Sequence, residues 1–229
     1  MVDFMGENTF TKEMVQQILN VLSVKNHFFV SEAHLQTEFI IEAAKLFPNY
    51  QYYPELVPSV VPSEYIKQFK DKGIHFDLVI RNKKEKTLIE FKYLTAKYHE
   101  SVDDFDLEVK SHMAMDIRRY DCWKDISRIE CFVKSNDSDI KHGYFILITN
   151  VPGFWKKSNR TTLADDFLIF EGRHKRSLKQ WSSNASEGTK KGRFNPLDIT
   201  MDYLFEYRNF YNSHKKNGQF KSLIVEVKK

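Results

Sequence analysis

The sequence predicts an α/β fold, and three observations carry that expectation. Two N-terminal segments space their apolar residues near 3.6, as amphipathic helices do; two short central segments alternate with period two and are joined by a charged turn; and a long helical segment then leads into a near-continuous apolar strand. With 229 residues, 41% hydrophobic, 14% aromatic and only 8 Gly and 6 Pro, the chain is predicted to pack as one domain over 1–229.

The first helix is expected over Thr11 to Leu22, with Met14, Val15, Ile18, Leu19 and Leu22 on one face and Thr11 as its cap. A second runs from about Ser31, an N-cap residue followed by Glu32, through Leu35, Phe39, Ile40 and Ala43 to Phe47, where Pro48 stops it. Tyr50 to Val57 reads as a strand, and an irregular segment containing Pro58 and Pro62 follows. Ile74 to Ile80 and Thr87 to Leu94 form a β-hairpin around the six-residue turn from Arg81 to Lys86. Beyond an acidic stretch around Asp103 to Asp106, a helix is expected from about His112 to Ile129 and a doubly buried strand over Gly143 to Thr149. Leu163 to Phe170 is a helix or loop, Tyr203 to Tyr211 is aromatic-rich, and Ser222 to Val227 is a last strand.

No apolar run approaches the roughly 20 residues of a membrane span, and no basic segment followed by an apolar one opens the chain, so neither insertion nor secretion is expected. Cys122 and Cys131 lack any C-x-x-C spacing and read as reduced thiols of a cytoplasmic protein. The net charge of +4 is unevenly spread. Arg173 to Arg193 holds seven Lys or Arg against one acid, a surplus of six that leaves the remainder at −2. Such a stretch suits either a phosphate-backbone contact or an ordinary solvated surface.

The chemistry lies in Asp77, Glu90 and Lys92. An acid followed by E-x-K is cheap in a chain with 29% charged residues, and Glu108-Val109-Lys110 and Glu226-Val227-Lys228 repeat the second half. The hairpin separates the first case from these. Pairing residues whose numbers sum to 167 sets Asp77 opposite Glu90, Phe76 opposite Phe91 and Leu78 opposite Ile89, so one face is apolar and the other gathers Asp77, Glu90 and Lys92. Two facing carboxylates repel by up to about 1 kcal/mol. A divalent cation removes that cost, and Mg²⁺ prefers carboxylate, carbonyl and water oxygens. Asp77, Glu90 and the backbone carbonyl of Phe91 are its candidate ligands, with Lys92 orienting water or stabilising charge on phosphorus. The alternative is a surface salt-bridge trio on a solvated sheet, against which the apolar neighbours speak.

These residues resemble the PD-(D/E)XK superfamily, whose core is a helix, a three-stranded meander carrying the motif, a helix and a further strand. The resemblance spans about 120 residues, from 31 to 150, and implies a restriction-endonuclease-like core: a central mixed β-sheet flanked by helices, with residues 151–229 packed on it. Phe76 stands where the family name has proline. Within the superfamily, Ser31-Glu32 with Gln36, Ile89-Glu90-Phe91-Lys92-Tyr93, and Arg119-Tyr120-Asp121 with Lys124, Asp125, Arg128 and Glu130 resemble an uncharacterised prokaryotic group, as do Leu147-Ile148-Thr149-Asn150, Phe154-Trp155 and Gly188 to Arg193. The resemblance implies a Mg²⁺- or Mn²⁺-dependent endonuclease acting on DNA, in restriction or defence by analogy of fold only. RNA cleavage and a catalytically silent binding module with the same fold are the alternatives, and a homodimer is left open. Relatives bring a first-helix Glu to the metal; Glu32 fits best, ahead of Glu38, Glu42 and the strand residue Glu55, although an acid at Glu32 equally complements a helix N-terminus. Arg119, Tyr120, Lys124, Lys190, Lys191 and Arg193 are the expected phosphate contacts. Asp121 and Asp125 suit either function or intrahelical pairing with Lys124 or Arg128. His75 is a candidate neighbour of the site, and Trp155 and Trp181 are expected core anchors with base stacking as the alternative.

Overall fold

The computed structural model describes residues 9–229 except 26–27, 71–72, 84, 103, 113 and 137–139. Lys84 of the charged turn and Asp103 of the acidic stretch thus lie outside the described residues. Helix α1 spans Lys12–Lys25 and α2 spans Glu32–Leu46, the latter capped by the Ser31 hydroxyl, which accepts from the His34 amide. Strands β1 (Gln51–Leu56), β2 (Phe76–Arg81) and β3 (Lys86–Leu94) form a meander. A short helix α3 (Ser63–Phe69) interrupts it and a hairpin of β4 (Tyr98–Val102) and β5 (Phe105–Val109) follows. Then come α4 (Met115–Lys134) and β6 (Ile140–Thr149). The C-terminal part adds α5 (Pro152–Trp155), a 3₁₀ turn at Asp165–Phe167, β7 (Gly172–His174), β8 (Ser177–Lys179), α6 (Glu187–Lys190), β9 (Leu197–Ile199), β10 (Tyr203–Phe205), β11 (Tyr207–Asn212) and β12 (Gln219–Lys228).

The central sheet has the order β1-β2-β3-β6-β12-β11 and is mixed, because β3 and β6 run parallel while every other neighbouring pair is antiparallel. Both faces are covered. Val15, Ile18, Leu19 and Leu22 of α1 and Leu35 and Phe39 of α2 pack on Leu78, Ile80, Ile89, Phe91, Tyr144, Ile146 and Ile148. On the other face α4 lays Trp123, Ile126, Ile129 and Val133 on Val79, Leu88, Phe145, Leu147 and Val225. This is why β6 reads as an unbroken apolar run: alternate residues enter opposite cores. No described helix is long and apolar enough to cross a membrane.

Four local readings differ from the structure. The segment after Pro62 is not wholly irregular: α3 buries only Tyr65 and Phe69, too few apolar positions to print a period. The stretch around Asp104 is the turn of the β4–β5 hairpin, whose outward-facing acids hide its alternation. Leu163 to Phe170 holds only a 3₁₀ turn. Phe76 does not join the Leu78 face but packs edge-on against Phe132 of α4, with ring centroids 4.9 Å apart. Paired β2–β3 register begins only at Leu78, so no ladder dictates which way Phe76 turns.

The C-terminal part is stitched to α4 by polar contacts. Glu130 accepts from the Thr200 amide at 2.9 Å and from the Thr200 and Tyr203 hydroxyls at 2.6 Å each. The Tyr120 hydroxyl donates to the Asn195 carbonyl and the Trp181 indole to the Arg193 carbonyl, both at 2.9 Å. Trp155 and Trp181 are buried, as core anchors should be. Cys122 and Cys131 are free and buried.

The close approach of α4 to β6 depends on Gly143, where an added Cβ would stand 2.1 Å from Ile129 Cγ2. Gly143→Ala is expected to lower stability by about 1–3 kcal/mol, read as a fall in denaturant midpoint at unchanged slope. Adding Ile129→Ala, which removes the clashing methyl, should make the pair less damaging than the sum of the two single changes.

Candidate active site

The β2–β3 register is the one the sequence implies: Leu78 pairs Ile89, Val79 pairs Leu88 and Ile80 pairs Thr87. Continued one step, it sets Asp77 across from Glu90. There the two strands part, and carboxylates replace the missing ladder. Asp77 Oδ2 accepts the Phe91 N–H at 2.7 Å, and Glu32 Oε2, at the start of α2, accepts the Tyr93 N–H at 2.8 Å. Two of the expected acids therefore stand along the same stretch of β3 backbone.

Helix α4 closes the space from the other side. Lys92 Nζ lies 2.7 Å from Asp125 Oδ2 and donates to the Phe91 carbonyl at 3.0 Å. Arg128 lies 3.3 Å from Glu90 Oε1 and 3.1 Å from Asp125 Oδ1, donates to the His75 carbonyl at 2.5 Å, and rests over the Phe76 ring. Four carboxylates (Glu32, Asp77, Glu90, Asp125) thus share the place with two cations (Lys92, Arg128). Glu90 is 2% exposed, and its Oε1 is buried without a hydrogen-bond partner.

The electrostatics follow. Burial, then the charges of Asp125 and Asp77, push the Glu90 carboxyl well above the usual range despite Arg128 and Lys92. Burial likewise raises Glu32, with Lys92 opposing. For Lys92 burial alone would favour the neutral amine, but Asp125, Glu32 and Glu90 outweigh it and hold its pKa above the ordinary value. Lys92 is therefore an ammonium at neutral pH.

A cleft of about 380 Å³ opens on this cluster, lined among others by Glu32, Lys92, His112, Arg118, Lys124 and Asp125. A second cavity of about 370 Å³ beside β1 is lined by Tyr53, Val60, Phe76 and their neighbours and holds no carboxylate. Among the described residues no three His, Cys, Asp or Glu side chains converge as a metal-ligand set. A divalent ion here would rest on Asp77, Glu90 and the Phe91 carbonyl, a donor set of oxygens that suits Mg²⁺ or Mn²⁺ with water and phosphate completing the shell. The unpartnered Glu90 oxygen and the surplus of two negative charges fit such an ion.

Other expected residues are elsewhere. Glu38 and Glu42 pair with Lys25, and Glu55 with the exposed His75 ring, so His75 meets the cluster only through its carbonyl. Arg119 is buried and donates to the Gly153 carbonyl, and Tyr120 is buried against Trp181; neither faces the cleft, because they lie on the side of α4 that carries the C-terminal part. Arg193 is committed to Asp121 by two bonds of 2.7 and 2.9 Å, and Arg118 lies 3.7 Å from the same carboxylate, so Asp121 pairs with these rather than with Lys124. Lys190 and Lys191 sit on the turn leading into Arg193 and are at least partly exposed. Asp125 and Arg128 do belong to the cluster. Their only signal in the sequence is charge on a helix face otherwise made of Cys122, Ile126 and Ile129. His112 and Arg118 carried no signal.

No family model matches the chain, and neither a curated protein nor a solved structure is similar to it.

Because the Glu90 carboxyl titrates higher folded than unfolded, its stabilising, protonated form is complete below about pH 4.3 and is lost as pH rises through the raised value. Glu90→Gln should therefore melt above wild type at pH 7–8 without metal. The gap should narrow on acidification toward pH 4.5, and a constant gap in melting scans would contradict this assignment of charge.

Proposed function

We propose that the chain is a divalent-metal-dependent phosphodiesterase acting on DNA, with a restriction-endonuclease-like core of the PD-(D/E)XK superfamily. The observation that carries this reading is the buried, oxygen-rich cluster with two more carboxylates than cations, placed where two paired strands part. A structural ion-pair network has no use for an unbonded carboxylate oxygen at 2% residue exposure, since such a group costs about 1–3 kcal/mol or more. The order of α2, the β1–β2–β3 meander, α4 and β6 also fits that core.

Asp77, Glu90 and the Phe91 carbonyl would hold Mg²⁺ or Mn²⁺, which when bound lowers the pKa of water and neutralises phosphate charge. Lys92, held charged by Asp125, stabilises negative charge developing on the phosphorus oxygens and cannot serve as a base in that state. Glu32, with its raised pKa and its bond to the Tyr93 amide, is placed to take a proton from the attacking water. Arg128 fixes Glu90 and Asp125 from the α4 side.

Supercoiled plasmid with Mg²⁺ or Mn²⁺ is expected to be nicked or cut, and Asp77→Ala and Lys92→Ala should each lower the rate by about 100-fold or more while the protein still folds. Undiminished cleavage by Asp77→Ala would remove the site assignment. Cleavage of RNA instead of DNA by wild type would keep the site and change the substrate.

A further inference from the structure

At the lip of the cleft, His112 is locked to the end of β3 by a reciprocal pair of bonds. Its own N–H donates to the Thr95 carbonyl at 2.7 Å, and the Thr95 N–H donates to His112 Nδ1 at 3.2 Å. Thr95 is 0% exposed and its hydroxyl donates to the Lys110 carbonyl at 2.7 Å. The hydroxyl oxygen also lies 3.0 Å from Nδ1, but a proton on Nδ1 would strand the buried Thr95 amide without an acceptor. Nδ1 is therefore the acceptor, and the ring hydrogen resides on Nε2. Burial and the neighbouring Arg118 push the imidazole below its ordinary pKa, which agrees with a neutral ring.

The same lip carries Arg118 and Lys124. The carboxylates beside them are engaged: Asp121 with Arg193 and Arg118, and Asp125 with Lys92 and Arg128. The lip thus offers a fixed neutral N–H donor between two cations. That combination matches a phosphate oxygen, which accepts both.

We propose that His112, Arg118 and Lys124 form a phosphate subsite in which the His112 Nε2–H donates to a non-bridging oxygen of a phosphodiester flanking the one cut. This rests on the nucleic-acid reading of the cleft. It assigns His112 a contact with substrate, beyond its part in holding the β3 terminus.

Two substitutions separate the roles. Asn at 112 places its carbonyl near Nδ1, keeping the acceptor for Thr95 but losing the distal donor; Gln places its N–H near Nε2, keeping the donor. In anisotropy titrations of the full chain with a labelled DNA duplex in EDTA, His112→Asn is expected to weaken binding about 10-fold or more. His112→Gln should stay within about threefold of wild type. The dependence of log affinity on log salt should keep its slope in His112→Asn, because a neutral donor releases no counterion, and should lose about one unit in Lys124→Ala. Asn binding as wild type does while Gln binds poorly would show that 112 serves only the Thr95 anchor and would overturn the subsite. So would equal binding by all three. Wild type binding neither duplex DNA nor RNA would instead remove the proposed function on which the subsite stands.

Discussion

Everything at the candidate site follows from the point at which β2 and β3 separate. As far as Leu78 and Ile89 they exchange ordinary ladder bonds; beyond it the Phe91 and Tyr93 amides accept carboxylate partners, Asp77 and Glu32. A backbone N–H buried in a sheet must find an acceptor. Filling that need with charged oxygens, from two different elements, concentrates negative charge at one place. The local accounting of hydrogen bonds and the accumulation of charge are thus one structural fact.

That charge persists because the sheet is covered on both faces. In a solvated hairpin, water would screen Glu90 and the surplus would cost little. Under α4 the same carboxyl loses its hydration, and the ion pairs of Asp125 with Lys92 and Arg128 offset only part of the imbalance. Asp125 has a double task, since it holds Lys92 charged while adding to the repulsion that raises Glu90. The cluster is therefore poised for a further cation in a way that a balanced salt-bridge network is not.

The sequence made the hairpin legible because period two, a charged turn and a two-sided test of register all agree on one pairing. Glu32 was legible through Ser31, whose capping role fixes where α2 begins and hence which of three acids reaches the strand. Phe76 was not, because alternation is informative only where a ladder enforces it. Arg119, Tyr120 and Arg193 look like phosphate contacts by type. Which side of α4 each faces is a tertiary matter, decided by Trp181, Asn195 and Asp121, all far away in the chain. His112 was invisible for a similar reason: its chemistry is set by a Thr95 amide seventeen residues earlier.

The basic stretch from Arg173 to Arg193 shows how charge counted along a chain differs from charge offered to a partner. Lys179 is buried 4.1 Å from the centre of the Trp123 ring and donates to the Asp166 carbonyl, and burial draws its pKa down to about 8. Arg193 is spent on Asp121. Both charges serve to fasten the C-terminal part onto α4, and through the Arg193–Asp121 pair that fastening sets the Lys190–Lys191 turn beside the residue that lines the cleft wall. A phosphate backbone entering there would meet Lys124 and Arg118 first, with Lys190 and Lys191 as an outer approach. The grip on substrate thus resides in α4 and its anchored neighbours more than in the stretch that carries most of the formal charge.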